Sequence, residues 1–155
     1  MSLSRRRSVP APSSADLCTY DYAIVRVVPR VERGEFINVG AIVSCAPSGF
    51  LQAGIEVDDA RLLALDPGLD LAAIRASLAA IPAICRGGAD AGALGRLLPR
   101  ERFDWLVAPR STAIQTSPVH TGRCRDLPGA LERLLDAMVR PRRAAIAGSA
   151  EVQPR

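Results

Sequence analysis

Between Tyr20 and Val57 apolar residues fall on every second position, in three short runs separated by turn formers. Take the middle run first. Ile37, Val39, Ala41, Val43 and Cys45 alternate with Phe36, Asn38, Gly40, Ile42 and Ser44. Successive strand side chains point to opposite faces, so the first set reads as one continuous apolar face and the second as a mixed face with Asn38 and Gly40 near its middle. Leu51, Ala53, Ile55 and Val57 alternate with Gln52, Gly54 and Glu56, the pattern of a strand with one buried and one solvated face. Pro47-Ser48-Gly49 separates these runs, and so short a connection predicts an antiparallel hairpin. The first run, Tyr20 to Val28, is rich in β-branched and aromatic residues and puts Arg26 on the same face as Tyr20 and Tyr22. Pro29 cannot donate to a ladder and ends it, and the charged loop Arg30 to Glu35 follows.

Beyond Val57 the period changes. Asp58 and Asp59 can cap a short helix, Ala60 to Leu65, which Asp66-Pro67-Gly68 breaks. Asp70 caps a stronger helix whose Leu71, Ile74, Leu78, Ile81 and Cys85 recur at spacings of three and four. Pro82 is expected to bend or fray its last turn, and Arg86-Gly87-Gly88 stops it. Two short helices are expected at Asp90 to Leu98 and Arg100 to Val107. Thr112 to Ser117 reads as a fourth strand, at the sheet edge or beside the first strand, and Pro118 to Arg125 as a loop. Asp126 caps a last helix with Leu131, Leu134, Leu135, Met138 and Val139 as its stripe, ended by Pro141. The expectation is an α+β domain: an antiparallel sheet of about four strands with helices packed on one face, spanning residues 17–141 between disordered tails at 1–16 and 142–155.

Composition narrows the function classes. A chain of 155 residues is long enough for one domain with its own core. The formal net charge is +4, and every basic residue is arginine. Much of the excess lies in the tails, at Arg5, Arg6, Arg7, Arg140, Arg142, Arg143 and Arg155, so the central domain is near neutral and no specific nucleic-acid binding is expected of it. Cys18, Cys45, Cys85 and Cys124 form no CxxC pair, and His120 is the only histidine, which argues against a structural zinc. No metal or cofactor is expected. The N-terminal arginines precede no apolar stretch of the secretory type, and no apolar run approaches the ~20 residues of a spanning helix, so the reading is a cytoplasmic protein with reduced thiols and no membrane segment.

No P-loop, dinucleotide fingerprint, nucleophile elbow or HExxH occurs, so whether the chain is an enzyme stays open. The polar residues that could form a ligand site are Arg26, Glu35, Asn38, His120 and Arg123. His120 follows a strand, and an imidazole can shuttle protons near neutral pH. Glu35 and Asn38 flank the start of the middle strand as a carboxylate–amide pair, with Gly40 leaving room for a close approach. Arg26 and Arg123, with Arg30 and Arg33, could clamp a phosphate or carboxylate. Each has a plainer reading. His120 is then a turn residue, Glu35 pairs with Arg33 or Arg30, Asn38 satisfies buried backbone groups, the arginines form ion pairs, and Tyr20 and Tyr22 pack on the sheet. Catalysis would require Glu35, Asn38 and His120 to converge within hydrogen-bond reach.

The run YAIVRVVPRVERGEFINVGAIV resembles the opening signature of a bacterial family catalogued as domain of unknown function 3037 (DUF3037): an aromatic-led strand, a proline, a charged loop, then Gly-Glu-Phe-x-Asn-x-Gly leading into an apolar strand. Ser117 to Gly122 and the helix from Leu127 to Val139 resemble later segments of that family, and the resemblance covers roughly residues 18 to 140. It implies no known activity. Its members are often encoded beside kinases similar to the HipA toxin kinase, so it implies a HipA-like kinase as a protein partner. Two readings result: a protein-interaction module, and, as the alternative, a domain that binds or acts on a small phosphorylated or carboxylated ligand.

Overall fold

The structure, a computed structural model, describes residues 16–142. The two tails expected to be disordered lie almost wholly outside the described residues. Five strands form one antiparallel sheet: β1 (Cys18–Val27), β2 (Ile37–Cys45), β3 (Phe50–Ile55), β4 (Ile114–Thr116) and β5 (His120–Cys124). The expected β2–β3 hairpin is present and β1 and β2 also pair antiparallel across the charged loop, with Gly34 and Gly49 closing the two connections in the left-handed region (φ +67° and +66°). β1 is central. β2 lies along one side of it and carries β3 outward, while β4 and β5 share its other side. The fifth strand corrects the expected loop at Pro118–Arg125: its short polar HTGRC sequence has no apolar alternation, and its pairing with the start of β1 alone makes it a strand.

Two irregularities set which residue faces which side. Val25 pairs with Gly40 but Arg26 pairs with Asn38, so Val39 is an extra residue bulged out of β2. Likewise Val25 pairs with Thr116 and Tyr22 with His120, leaving three residues, 117–119, against two of β1. Ser117 bridges that gap. Its backbone N–H donates to the Ile24 carbonyl at 2.8 Å, and its Oγ accepts the Ile24 N–H at 2.9 Å. The β2 bulge breaks the single apolar face expected from Ile37 to Cys45. Val39 and Ile42 pack in one core and Ala41 and Val43 in another, on opposite sides of the sheet.

Helices consequently cover both faces, which corrects the expected one-sided layer. On one face α1 (Asp59–Leu65), α2 (Leu71–Arg86) and α3 (Pro99–Val107) bury Leu62, Ile74, Leu78, Phe103 and Leu106 against Val25, Val27 and Val39. On the other, α4 (Leu127–Met138) sets Leu131, Leu135 and Val139 on Ile24, Ala41 and Val43. Asp58 and Asp70 cap α1 and α2 as expected, accepting the Arg61 and Ala73 N–H groups. α2 runs through Pro82 without interruption. In place of the short helix expected at Asp90 to Leu98, Ala89–Arg96 forms 3-10 turns broken at Gly92 (φ +60°).

Candidate functional site

The signature from Gly34 to Gly40 supplies architecture at nearly every position. Gly34 takes a left-handed φ with open space around it. Glu35 is exposed and ion-pairs with Arg33. Phe36 receives the Arg26 guanidinium on its ring, 4.1 Å from the centroid. Asn38 Nδ2 donates to the Met138 carbonyl at 3.0 Å, tying β2 to one of the unpaired carbonyls at the end of α4. At Gly40 a Cβ would lie 2.5 Å from the Gly54 carbonyl oxygen, so β2 and β3 approach where a side chain has no room.

The five residues singled out in the sequence do not share a site. His120 pairs with Tyr22, their rings 5.4 Å apart, whereas Asn38 pairs with Arg26 four residues along β1 and on its other side. That register separates His120 from Asn38 by about 13 Å along the strands and about 10 Å across them. Glu35 lies farther along still, before the start of β2. The convergence that acid–base chemistry requires is absent. Arg123 is on the opposite face from Arg26. It alternates in phase with Thr121, whose partner Asp21 is held by Arg100 of α3, whereas Arg26 alternates with Tyr22 and Ile24 on the α4 side. The arginine clamp is thereby split by the sheet. Arg26 and Asn38 are neighbours, and each leaves one buried atom without a partner: Nε, a donor, and Oδ1, an acceptor.

Asp21 illustrates what the polar groups do here. Arg100 Nη1 (2.7 Å) and Thr121 Oγ1 (2.8 Å) donate to its carboxylate, and these hydrogen bonds hold its pKa below the ordinary 3.8. A folded value below the unfolded one stabilises the protein above about pH 4 and loses that contribution as pH falls through the folded value. Asp21→Asn is therefore expected to flatten the acid limb of a thermal-midpoint-against-pH profile below about pH 4. An acid limb identical to that of the parent chain would count against this bond set.

Two clefts remain. The first, about 400 Å³, is polar and is lined by Asn38, Glu56, Asp58, Asp59, Arg61, Arg75 and Arg140. Its arginines are largely engaged: Arg140 by Glu56, Glu132 and Asp136, and Arg75 by Asp59, while Arg61 Nη1 reaches the Val139 carbonyl at 3.3 Å. The second, about 480 Å³, is an apolar groove between α2, α3 and β4. Its floor is Ile74, Ile81, Ile84, Leu106 and Ile114, and the small Ala73, Ser77 and Ala80 of α2 form an open wall. Trp105 stands 40% exposed at its rim with Arg110 stacked 4.0 Å over the ring. Trp105 lies on the helix expected over Arg100 to Val107, but the sequence pattern did not reveal the groove beside it. Its walls come from segments as far apart in sequence as Ala73 and Thr116, and only the mixed small and apolar residues of α2 hint at it.

Among the described residues no group of three or more His, Cys, Asp and Glu side chains is placed to hold a metal ion. No single helix there is long and apolar enough to cross a membrane. A family model described as "Protein of unknown function (DUF3037)" matches residues 22–139, most of the chain and the same region as the fold. No curated protein and no solved structure matches.

Proposed function

The chain belongs to the DUF3037 family, proteins of unknown function, and on that premise we propose that it is a cytoplasmic bacterial protein-interaction module rather than an enzyme. The observation that carries this reading is the apolar groove with Trp105 and Arg110 at its rim. Aromatic and arginine side chains beside an apolar floor are the composition of binding hot spots. The fit is to an apolar segment of a partner protein that lays aliphatic side chains on Ile74, Ile81 and Ile84 and sets a carboxylate against Arg110, whose guanidinium has no acidic partner among the described residues. The spending of the family signature on turns, strand approach and the α4 anchor supports the same reading, because no residue of that signature is left over as a reactive group. The kinase association attached to the family makes a HipA-like kinase the partner to test first.

The test is affinity capture of tagged chain from its host after nuclease treatment, with parallel capture by Trp105→Ala and Ala80→Arg. Ala80 is exposed on the groove wall, so the arginine obstructs the groove without entering the core. The expected result is one stoichiometric kinase-like partner on the parent chain, reduced at least ~10-fold by either substitution, a loss typical of a hot-spot residue. Equal capture by folded variants would overturn the groove assignment. A second reading rests on the polar cleft, where among the described residues Arg61 has no carboxylate partner and Asn38 Oδ1 has no donor. It ranks lower because Glu56, Asp58 and Asp59 offset the three arginines, leaving little net attraction for an anion. A partner-free chain from the capture experiment would favour it.

A further inference from the structure

Cys18 and Cys124 are 106 residues apart in sequence, yet they are paired directly across β1 and β5. Their sulfurs lie 3.6 Å apart, and Cys18 Sγ also donates to the Cys124 carbonyl at 3.1 Å. Directly opposed residues of antiparallel strands have Cα atoms about 4.5–5.5 Å apart, inside the range that a disulfide spans. Closing the bond needs the sulfurs to approach by about 1.5 Å, a side-chain rotation rather than a backbone movement. The two thiols differ in access. Cys18 is partly exposed at the start of the strand, whereas Cys124, at the end of β5, is buried. Cys45 and Cys85 are buried on β2 and α2, and burial pushes the Cys85 thiol up to about 12, so neither competes.

The geometry points to Cys18 and Cys124 as a thiol-oxidation site that closes to an intramolecular disulfide when it meets a small-molecule disulfide such as oxidised glutathione. The sequence of steps balances. Cys18, as thiolate, attacks one sulfur of the oxidant, whose S–S bond breaks and releases one glutathione thiolate. Cys124 gives its proton to solvent and attacks Cys18 Sγ, displacing the second glutathione thiolate. Two protein thiols lose two electrons and one glutathione disulfide gains them. Burial raises the Cys124 pKa, and the neighbouring Cys18 adds to this, while the Asp126 backbone N–H pulls the other way. Cys18 therefore reacts first and Cys124 resolves. The bridge ties the start of the central strand to the edge strand immediately before α4, so β5 can no longer peel away from β1.

The experiment uses the full reduced chain, equilibrated under native conditions with oxidised glutathione, then examined by thiol counting, intact mass and peptide mapping. Loss of two of the four thiols is expected, with one linked peptide pair containing Cys18 and Cys124 and a mass lower by two hydrogens. The thermal midpoint should rise by on the order of 10 °C, since the bridge closes a loop of over a hundred residues, and fall back on reduction. Cys18→Ser, at a partly exposed strand end where folding tolerates the change, should retain its remaining three thiols under the same oxidant. Four free thiols after equilibration, a glutathione adduct that stays on Cys18, or a dimer linked through Cys18 would each overturn the assignment.

Discussion

Replacing Gly40 by alanine is expected to destabilise the chain by about 3 kcal/mol, enough to remove much of the stability of a domain this size. The added methyl would sit 2.5 Å from the Gly54 carbonyl oxygen and 2.6 Å from Ile55 Cδ1. The first of these is backbone and cannot step aside. Gly54 has no slack either, because Leu135 of α4 rests on it, 2.7 Å from where its own Cβ would be. β2 and β3 would have to part at the bulge, where the Glu56 N–H reaches the Val39 carbonyl at 2.7 Å. The companion substitutions rank the whole signature. Gly34→Ala meets no neighbour and should cost about 1 kcal/mol for its left-handed backbone alone. Glu35→Gln, at an exposed ion pair, should be close to neutral. Urea unfolding of the three variants checks this order. A stable Gly40→Ala chain would show that the signature is kept for something other than architecture.

The second large effect is expected at Arg102. It is the one charged side chain among the buried residues described, 8% exposed, and it makes no ion pair with any described carboxylate. Nη1 donates to the Leu97 carbonyl at 2.7 Å and Nη2 to the Cys85 carbonyl at 3.3 Å. The guanidinium thus closes the C-terminal end of α2, where a cation is favoured by the helix dipole, and it lies over Gly87, whose absent Cβ makes room for it. Arg102→Ala leaves the Cys85 carbonyl buried without this donor, takes a donor from the half-buried Leu97 carbonyl and opens a void between α2 and α3, at a combined cost of about 3 kcal/mol. Arg102→Lys keeps the charge but has no planar fork to reach two carbonyls at once, so it should recover less than half of the loss. Urea midpoints at constant m-value read both. A change below about 0.5 kcal/mol for alanine would mean that water replaces the guanidinium at no cost.

The contrast between these two sites and the residues chosen from sequence is instructive. Asn38 was legible as a polar residue on a strand, but the Met138 carbonyl it serves is a hundred residues away. His120 stood out by being the only histidine, and the structure sets it at an edge strand against Tyr22, far from Glu35. Arg102 drew no attention, since a single arginine in a helix beside Phe103 gives no sign that its head will be buried. Arg26 was correctly placed within a strand, yet its partner ring, Phe36, follows from the register of β1 and β2.

What the sequence by itself determined is local. The period-two runs set β1, β2 and β3, the turn residues set the β2–β3 hairpin, aspartates at the right offsets set the starts of α1 and α2, and the stripes of α2 and α4 named most of the residues that each helix buries, although Met138 proves exposed and Leu71 and Leu134 only partly buried. Those signals carry the α+β class, because each is written within one or two turns of chain. The tertiary structure alone decided the fifth strand, the two bulges, the placement of α4 on the face opposite α1–α3, the groove beneath Trp105 and the pairing of Cys18 with Cys124. A bulge inserts one residue and reverses every later side chain, and no periodicity marks where it falls. Contacts between segments a hundred residues apart are chosen by the packing of the whole, once the central strand has taken a neighbour on each side.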